Sequence, residues 1–198
     1  MIKSIQPLLA SVSLIAIVLF AACSRKEEAT VDMSGIDFAE GDLVFRRGLG
    51  AKSHAVVAAD VGGVYSHSGI VVKSDSGFMI VHISPGEREV GEIEDRIKME
   101  TPGLFFAADR AQHGAVYRLQ ESLNICTAAA QQAVRLHSKG VRFDHDYLLN
   151  DSTEMYCTEL MWYVYRLAGK DITNGKYDTH IFPSAIYENK ELSIIYKF

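Results

Sequence analysis

Two β-rich runs, Ser68–Lys73 and Phe78–Ile83, flank the turn composition Ser74-Asp75-Ser76-Gly77, and no other feature limits the possible folds as much. Small polar residues and glycine between two β-branched runs predict an antiparallel hairpin. Pro85-Gly86 ends the second strand. The hairpin brings two sequence-distant histidines close. His67 opens the first run and His82 lies near the end of the second. Cross-strand neighbours on one sheet face lie within side-chain reach.

Further strands are predicted at Leu43–Phe45, Ala115–Leu119 and Leu192–Tyr196. Val90 and the stretch Ile93–Met99 are expected to supply an edge strand and a short helix. Helices are predicted over Ala51–Ala59, Leu123–Ser138 and Cys157–Ala168. In the second, Ile125, Ala129, Ala133 and Leu136 recur at helical spacing, Ser122 suits the N-cap and Gly140 the terminator. In the third, Leu160, Met161, Val164 and Leu167 form the stripe to be buried, and Gly169 follows. Strands grouped together with helices before and after them predict an α+β domain.

The chain of 198 residues begins with an export pattern. Lys3 precedes an apolar run from Leu8 to Phe20, too short for a typical membrane span and suited to a signal peptide. The run ends Phe20-Ala21-Ala22-Cys23, followed by Ser24-Arg25-Lys26-Glu27-Glu28. This resembles a bacterial lipoprotein cleavage box. The resemblance implies removal of residues 1–22, lipidation of Cys23, a tether over 23–34 and a catalytic domain over 35–198. It implies an exported protein held to a membrane of the cell envelope by lipid. Loss of Lys3 leaves 19 basic and 25 acidic residues. With no basic cluster, no nucleic-acid partner is expected.

Once Cys23 is assigned to lipid, Cys126 and Cys157 remain. Two cysteines make no disulfide framework. Cys126 lies in the alanine-rich helix and reads as a small core residue. Cys157 stands in the first turn of its helix, where the positive end of the backbone dipole favours thiolate. An imidazole delivered by the fold, His67, would complete a nucleophile–base pair. A polar group at His82 would hydrogen-bond the second nitrogen of His67 and fix its tautomer. Tyr65 offers a hydroxyl to an oxyanion and equally reads as a core tyrosine. Glu159, two positions past Cys157, faces away from the thiol and braces neighbouring backbone. Asp42 and Asp144 are expected to organise turns. Asp144-His145-Asp146 has metal-ligand residue types but no closing partners at a recognisable spacing, so neither a metal nor another cofactor is assigned.

Gly41-Asp42-Leu43-Val44-Phe45, Ser66-His67-Ser68-Gly69-Ile70, Val81-His82, Gly140-Val141-Arg142-Phe143-Asp144 and Tyr156-Cys157-Thr158-Glu159-Leu160 follow one another in the chain. Together they resemble the circularly permuted NlpC/P60 proteins, papain-like cysteine peptidases of the YiiX-like type. The resemblance implies an antiparallel sheet or small barrel packed against helices. It also implies Cys157 as nucleophile, His67 as base, and a polar third position that here is His82. The implied activity is cleavage of an amide in a peptidoglycan stem peptide or related fragment, through a thioester. The lecithin retinol acyltransferase-like enzymes share the layout and the strand motifs around His67 and His82. They imply an alternative, a lipid acyltransferase or lipid hydrolase. Asparagine usually precedes their cysteine, where this chain has Tyr156. A third possibility is a binding module that keeps the pocket and turns over little.

Overall fold

The computed structural model describes residues 30–87, 91, 93–149 and 153–198. The expected signal peptide, the lipidated Cys23, the first part of the tether and Val90 lie outside them. Among the described residues, no helix is long and apolar enough to cross a membrane.

Among the described residues eight strands form: β1 (Leu43–Arg47), β2 (His67–Ser74), β3 (Gly77–His82), β4 (Lys98–Glu100), β5 (His113–Leu119), β6 (Arg142–Phe143), β7 (Glu154–Met155) and β8 (Leu192–Lys197). The helices are α1 (Ala51–Ala59), α2 (Pro102–Phe105), α3 (Leu123–Lys139), α4 (Cys157–Leu167) and α5 (Pro183–Tyr187). Six strands make an antiparallel sheet in the order β4-β3-β2-β1-β5-β8, while β6 and β7 pair as a small parallel ribbon. The mixed α+β class matches the sequence expectation.

The β2–β3 hairpin forms as expected. Ser74 pairs with Gly77, so Asp75 and Ser76 alone make the turn, and Gly69 pairs with His82. Glycine at 69 has a steric reason: a Cβ there would stand 3.1 Å from His82 Cβ and 2.7 Å from Ile80 Cγ2. The edge strand arrives later than expected, at Lys98–Glu100. The short helix lies beyond it, because Thr101 caps Pro102 at a helix start, with its side chain accepting from Leu104 N–H. Helix α3 closes on Gly140 in the left-handed conformation, φ 64°.

Alternation along the strands divides the core in two. Ile70 and Val72 of β2 face α3 and α4 and pack with Ala129, Ala133, Leu160 and Met161. Val71, Ile80, Val44 and Val116 face the other way, onto Phe105 and Phe106. The amino-terminal segment closes this second cluster. Val31 N–H donates to Gly103 carbonyl at 3.0 Å, and Met33 and Phe38 are buried there. The end of the expected tether is therefore docked on the domain, because Met33 is apolar enough to be taken into the core.

Candidate active site

Cys157 is the first residue of α4. The helix is fixed by Leu160, Met161 and Val164, all fully buried, whereas Leu167, expected in the same stripe, is exposed in the last turn. Its opening is braced twice. The Glu159 carboxylate accepts from Tyr156 N–H at 3.4 Å, as expected of a bracing acid. Thr158 hydroxyl donates to Ile181 carbonyl at 2.5 Å, and Ile181 N–H donates to Tyr156 hydroxyl at 2.9 Å. The Cys157 and Thr158 N–H groups have no acceptor inside the helix and favour negative charge on the sulfur. Ser68 does the same from β2 through its own N–H and its buried hydroxyl, which has no regular hydrogen-bond partner.

His67 begins β2 on the opposite face from Ser68, stacked on Phe105 at 5.6 Å between ring centres. Its Nε2 lies 2.9 Å from His82 Nδ1. The ring of His82 is fully buried, edge-on to Phe105. Beyond it stands a carboxylate the sequence reading missed. Glu100 Oε1 is 3.0 Å from His82 Nε2, and this bent contact serves both atoms, which have no regular hydrogen-bond partner. An ionised carboxylate can only accept a proton. The chain of contacts thus places a proton on His82 Nε2, a second on His67 Nε2, and leaves the Nδ1 lone pair of His67 free. Glu100 itself is held by Arg110 at 3.0 Å.

Arg46, paired with His67 across β1 and β2, is a further charged group buried here, as is Lys98. Its guanidinium lies 4.6 Å over the Phe105 ring, donates to Phe105 carbonyl at 2.6 Å and pairs with Glu87. His67 and Cys157 line one cavity of about 1330 Å³, with Arg46, Glu87, Glu100 and Arg110 also in its wall. Apolar positions include Leu49, Ala55, Val56, Met79, Met99 and Leu104. Helix α1, which buries none of its own residues, forms one side.

Burial pushes the Cys157 thiol above its usual range, although Ser68 and the helix N–H groups pull it down. This corrects the expectation that the helix start holds a thiolate: dehydration of the sulfur outweighs the dipole. Burial also lowers His67 well below the usual imidazole value, and the charges of Arg46, His82 and Lys98 act in the same direction. His82 is lowered by burial against the opposing pull of Glu100. Burial pushes Glu100 up, but His82, Arg110 and Arg46 bring it below the ordinary carboxylate value. Thiol and imidazole therefore rest neutral near pH 7, beside the ionised carboxylate of Glu100.

Tyr65 does not line the cavity. It is fully buried, with its ring against Phe45, Tyr117 and Tyr187. Its apolar ring is worth more to the core than its hydroxyl is to the site, so the core reading holds and the oxyanion assignment is withdrawn. Tyr147 and Tyr156 do line the cavity. Tyr147 has φ 57°, and the negative charge of a Cys157 thiolate contributes to raising its pKa, after burial. Cys126 is buried in α3, and both cysteines are free thiols. Asp144 accepts from Asp146 N–H at 2.7 Å and Leu148 N–H at 2.6 Å, the turn role expected. Asp42 accepts from Ala39 N–H at 2.8 Å and also pairs with Arg118.

No known protein-family profile matches this sequence. No curated protein matches it either. Among solved structures, the chain is similar to the metalloprotein YiiX of Escherichia coli O157:H7, with a TM-score of 0.63 and 20% identity. The match covers 80% of this chain and 97% of that one. The fold is YiiX-like. Cation-binding chemistry is present in the donor set His82, Glu87 and Glu100, which bring one ligand-type atom each within 4.8 Å of one another. All three also carry a buried polar atom with no regular hydrogen-bond partner, so the set fits a cation.

Proposed function

We propose that this chain is an exported cysteine hydrolase of the permuted NlpC/P60 type, cleaving an amide in peptidoglycan stem peptides or related cell-wall fragments. Lipid on Cys23 holds it to its membrane. The observation that supports this most is a single cavity shared by a thiol at a helix start and an imidazole backed by a buried carboxylate.

With Nε2 of His67 committed to His82, Nδ1 is the nitrogen left to take the thiol proton. Because both partners rest neutral, proton transfer accompanies attack. Sulfur bonds to the carbonyl carbon, the carbonyl electrons move to oxygen, and the Cys157 N–H receives that oxyanion. The C–N bond then breaks as His67 returns the proton to the leaving amine. Water, deprotonated by the same nitrogen, releases the acid and restores the thiol. His82 and Glu100 keep the His67 lone pair aimed and stabilise the imidazolium formed in between.

YiiX is described as a metalloprotein, and here His82, Glu87 and Glu100 would hold a cation. Bound, it would supply positive charge and a coordination bond at a histidine nitrogen.

The test is incubation of the purified protein with muropeptides and, separately, with phospholipids, read by mass spectrometry. Cleaved stem peptide that disappears in Cys157→Ala is the expected result. Product from lipid alone would replace this reading with the lipid-enzyme alternative, which the apolar wall around Leu49, Val56 and Leu104 favours. Absence of any product would leave the binding module.

A further inference from the structure

The sequence reading places no ligand behind the catalytic histidine, yet polar atoms meet there without regular partners. His82 Nε2, Glu87 Oε2 and Glu100 Oε1 are all buried and none makes a regular hydrogen bond: His82 and Glu100 meet only in the bent 3.0 Å contact, and Glu87 Oε2 stands 3.7 Å from Arg110. Buried polar atoms ordinarily have well-formed partners, and three held this loosely in one cluster suit a common occupant. The other oxygen of each carboxylate is already held. Glu87 Oε1 pairs with Arg46 and accepts from Ser84 hydroxyl at 3.2 Å, while Glu100 Oε2 accepts from Arg110 at 3.0 Å. The guanidiniums hold one oxygen of each carboxylate closely, while Glu100 Oε1 faces the histidine and Glu87 has an oxygen within 4.8 Å of it, with Arg110 at 3.7 Å from Glu87 Oε2. Outer hydrogen bonds of this kind orient metal-ligating carboxylates. Burial separates the group from an ordinary surface acidic patch: His82 is 0% and Glu100 8% exposed.

We propose that a divalent transition cation and the catalytic relay compete for the same histidine nitrogen, so that the cation switches the enzyme off reversibly. One imidazole and two carboxylates suit manganese, iron or zinc, with cavity water completing the coordination. Coordination needs the lone pair of His82 Nε2, and hydrolysis as proposed above needs a proton there. With the cation bound, the His82 proton sits on Nδ1 and is donated to His67 Nε2. The proton of His67 then sits on Nδ1, where the thiol proton would have to go. No proton is gained or lost; both rings change tautomer, and the base disappears.

This switch rests on the hydrolase reading, but its test does not need turnover. Manganese(II) is the probe, because it has little taste for thiolates. Cys157→Ser removes the competing sulfur. Calorimetric titration of that variant should show one manganese site, weakened at least tenfold by adding Glu87→Gln or, separately, Glu100→Gln. Adding Asp109→Asn should change nothing, since Asp109 lines the cavity outside the donor set. Circular dichroism checks that each variant is folded. In the unmodified protein, manganese should slow iodoacetamide alkylation of Cys157 at least tenfold, a chelator should restore it, and Glu87→Gln should be insensitive. No binding to Cys157→Ser, or binding untouched by both carboxylate changes, overturns the site. Binding that leaves alkylation unchanged overturns the switch. If muropeptides are never cleaved while manganese still binds and slows alkylation, the hydrolase reading fails and the cation site stands.

Discussion

The two faces of the central sheet are built for different purposes. Toward α3 and α4, β2 presents Ile70 and Val72 to a wholly apolar layer of Ala129, Ala133, Leu160 and Met161. Toward α2, the same strand presents His67 to His82, Glu100 and Arg46, with Phe105 laid over them. The first face gains by excluding water from hydrocarbon. The second excludes water from charge, which is costly unless every group finds a partner. The thiol enters from the apolar side, over Ser68, and the imidazole from the polar side. The contrast shows how one strand can serve both: alternation gives each neighbour its own environment, and only the end of the strand needs to open to substrate.

Substitutions on the polar face should remove chemistry and spare the fold. Cys157→Ala is expected to cut turnover roughly 10⁴-fold or more with the melting temperature little changed; retained turnover would reject the mechanism. His67→Ala should come next, and His82→Ala should cost less, because it removes orientation and leaves the base. The reverse ranking would exchange their roles. Glu100→Gln should lower kcat by about 10–100-fold with little change in KM, as expected of a group that acts through another. An unchanged kcat would detach Glu100 from the relay. On the apolar face the pattern should invert. Leu160→Ala should cost about 2–5 kcal/mol of stability by denaturant titration. A loss well under 1 kcal/mol would mean that the layer under α4 is less tightly packed than described.

The smallest expected effect is in pH dependence. Because burial raises the Cys157 pKa, its thiolate fraction at pH 7 is below that of a free cysteine. Alkylation should therefore be slower than for a small thiol at pH 7 and still rising as the pH passes 9. A plateau near pH 6 would instead reveal a preformed thiolate–imidazolium pair.

Periodicity made most of the fold legible. The hairpin, α3 and α4 follow from turn chemistry, capping and apolar spacing, and α1 from an apolar run with few breakers, each of which is local in sequence. His67, His82 and Cys157 were visible because they sit at the ends of strongly patterned elements. Glu100 was not. Its strand is three residues long, too short for alternation to register, and its contact with His82 depends on β3–β4 register. The lowered basicity of His67 and the raised thiol pKa were equally hidden, since both arise from burial by Phe105, Arg46 and α4, which sequence spacing does not report. Tyr65 shows the opposite difficulty: adjacency to a site residue placed it near the chemistry, while its alternation in β2's approach turned it into the aromatic core.

Among the described residues, strand β4 is joined to the sheet along one side only, by β3. An outermost ribbon three residues long can fray without melting the rest of the domain. Each such excursion would carry Glu100 away from the histidine pair and leave the rings free to exchange tautomers. Amide exchange at Lys98–Glu100 would time the opening of this rim, well ahead of global unfolding.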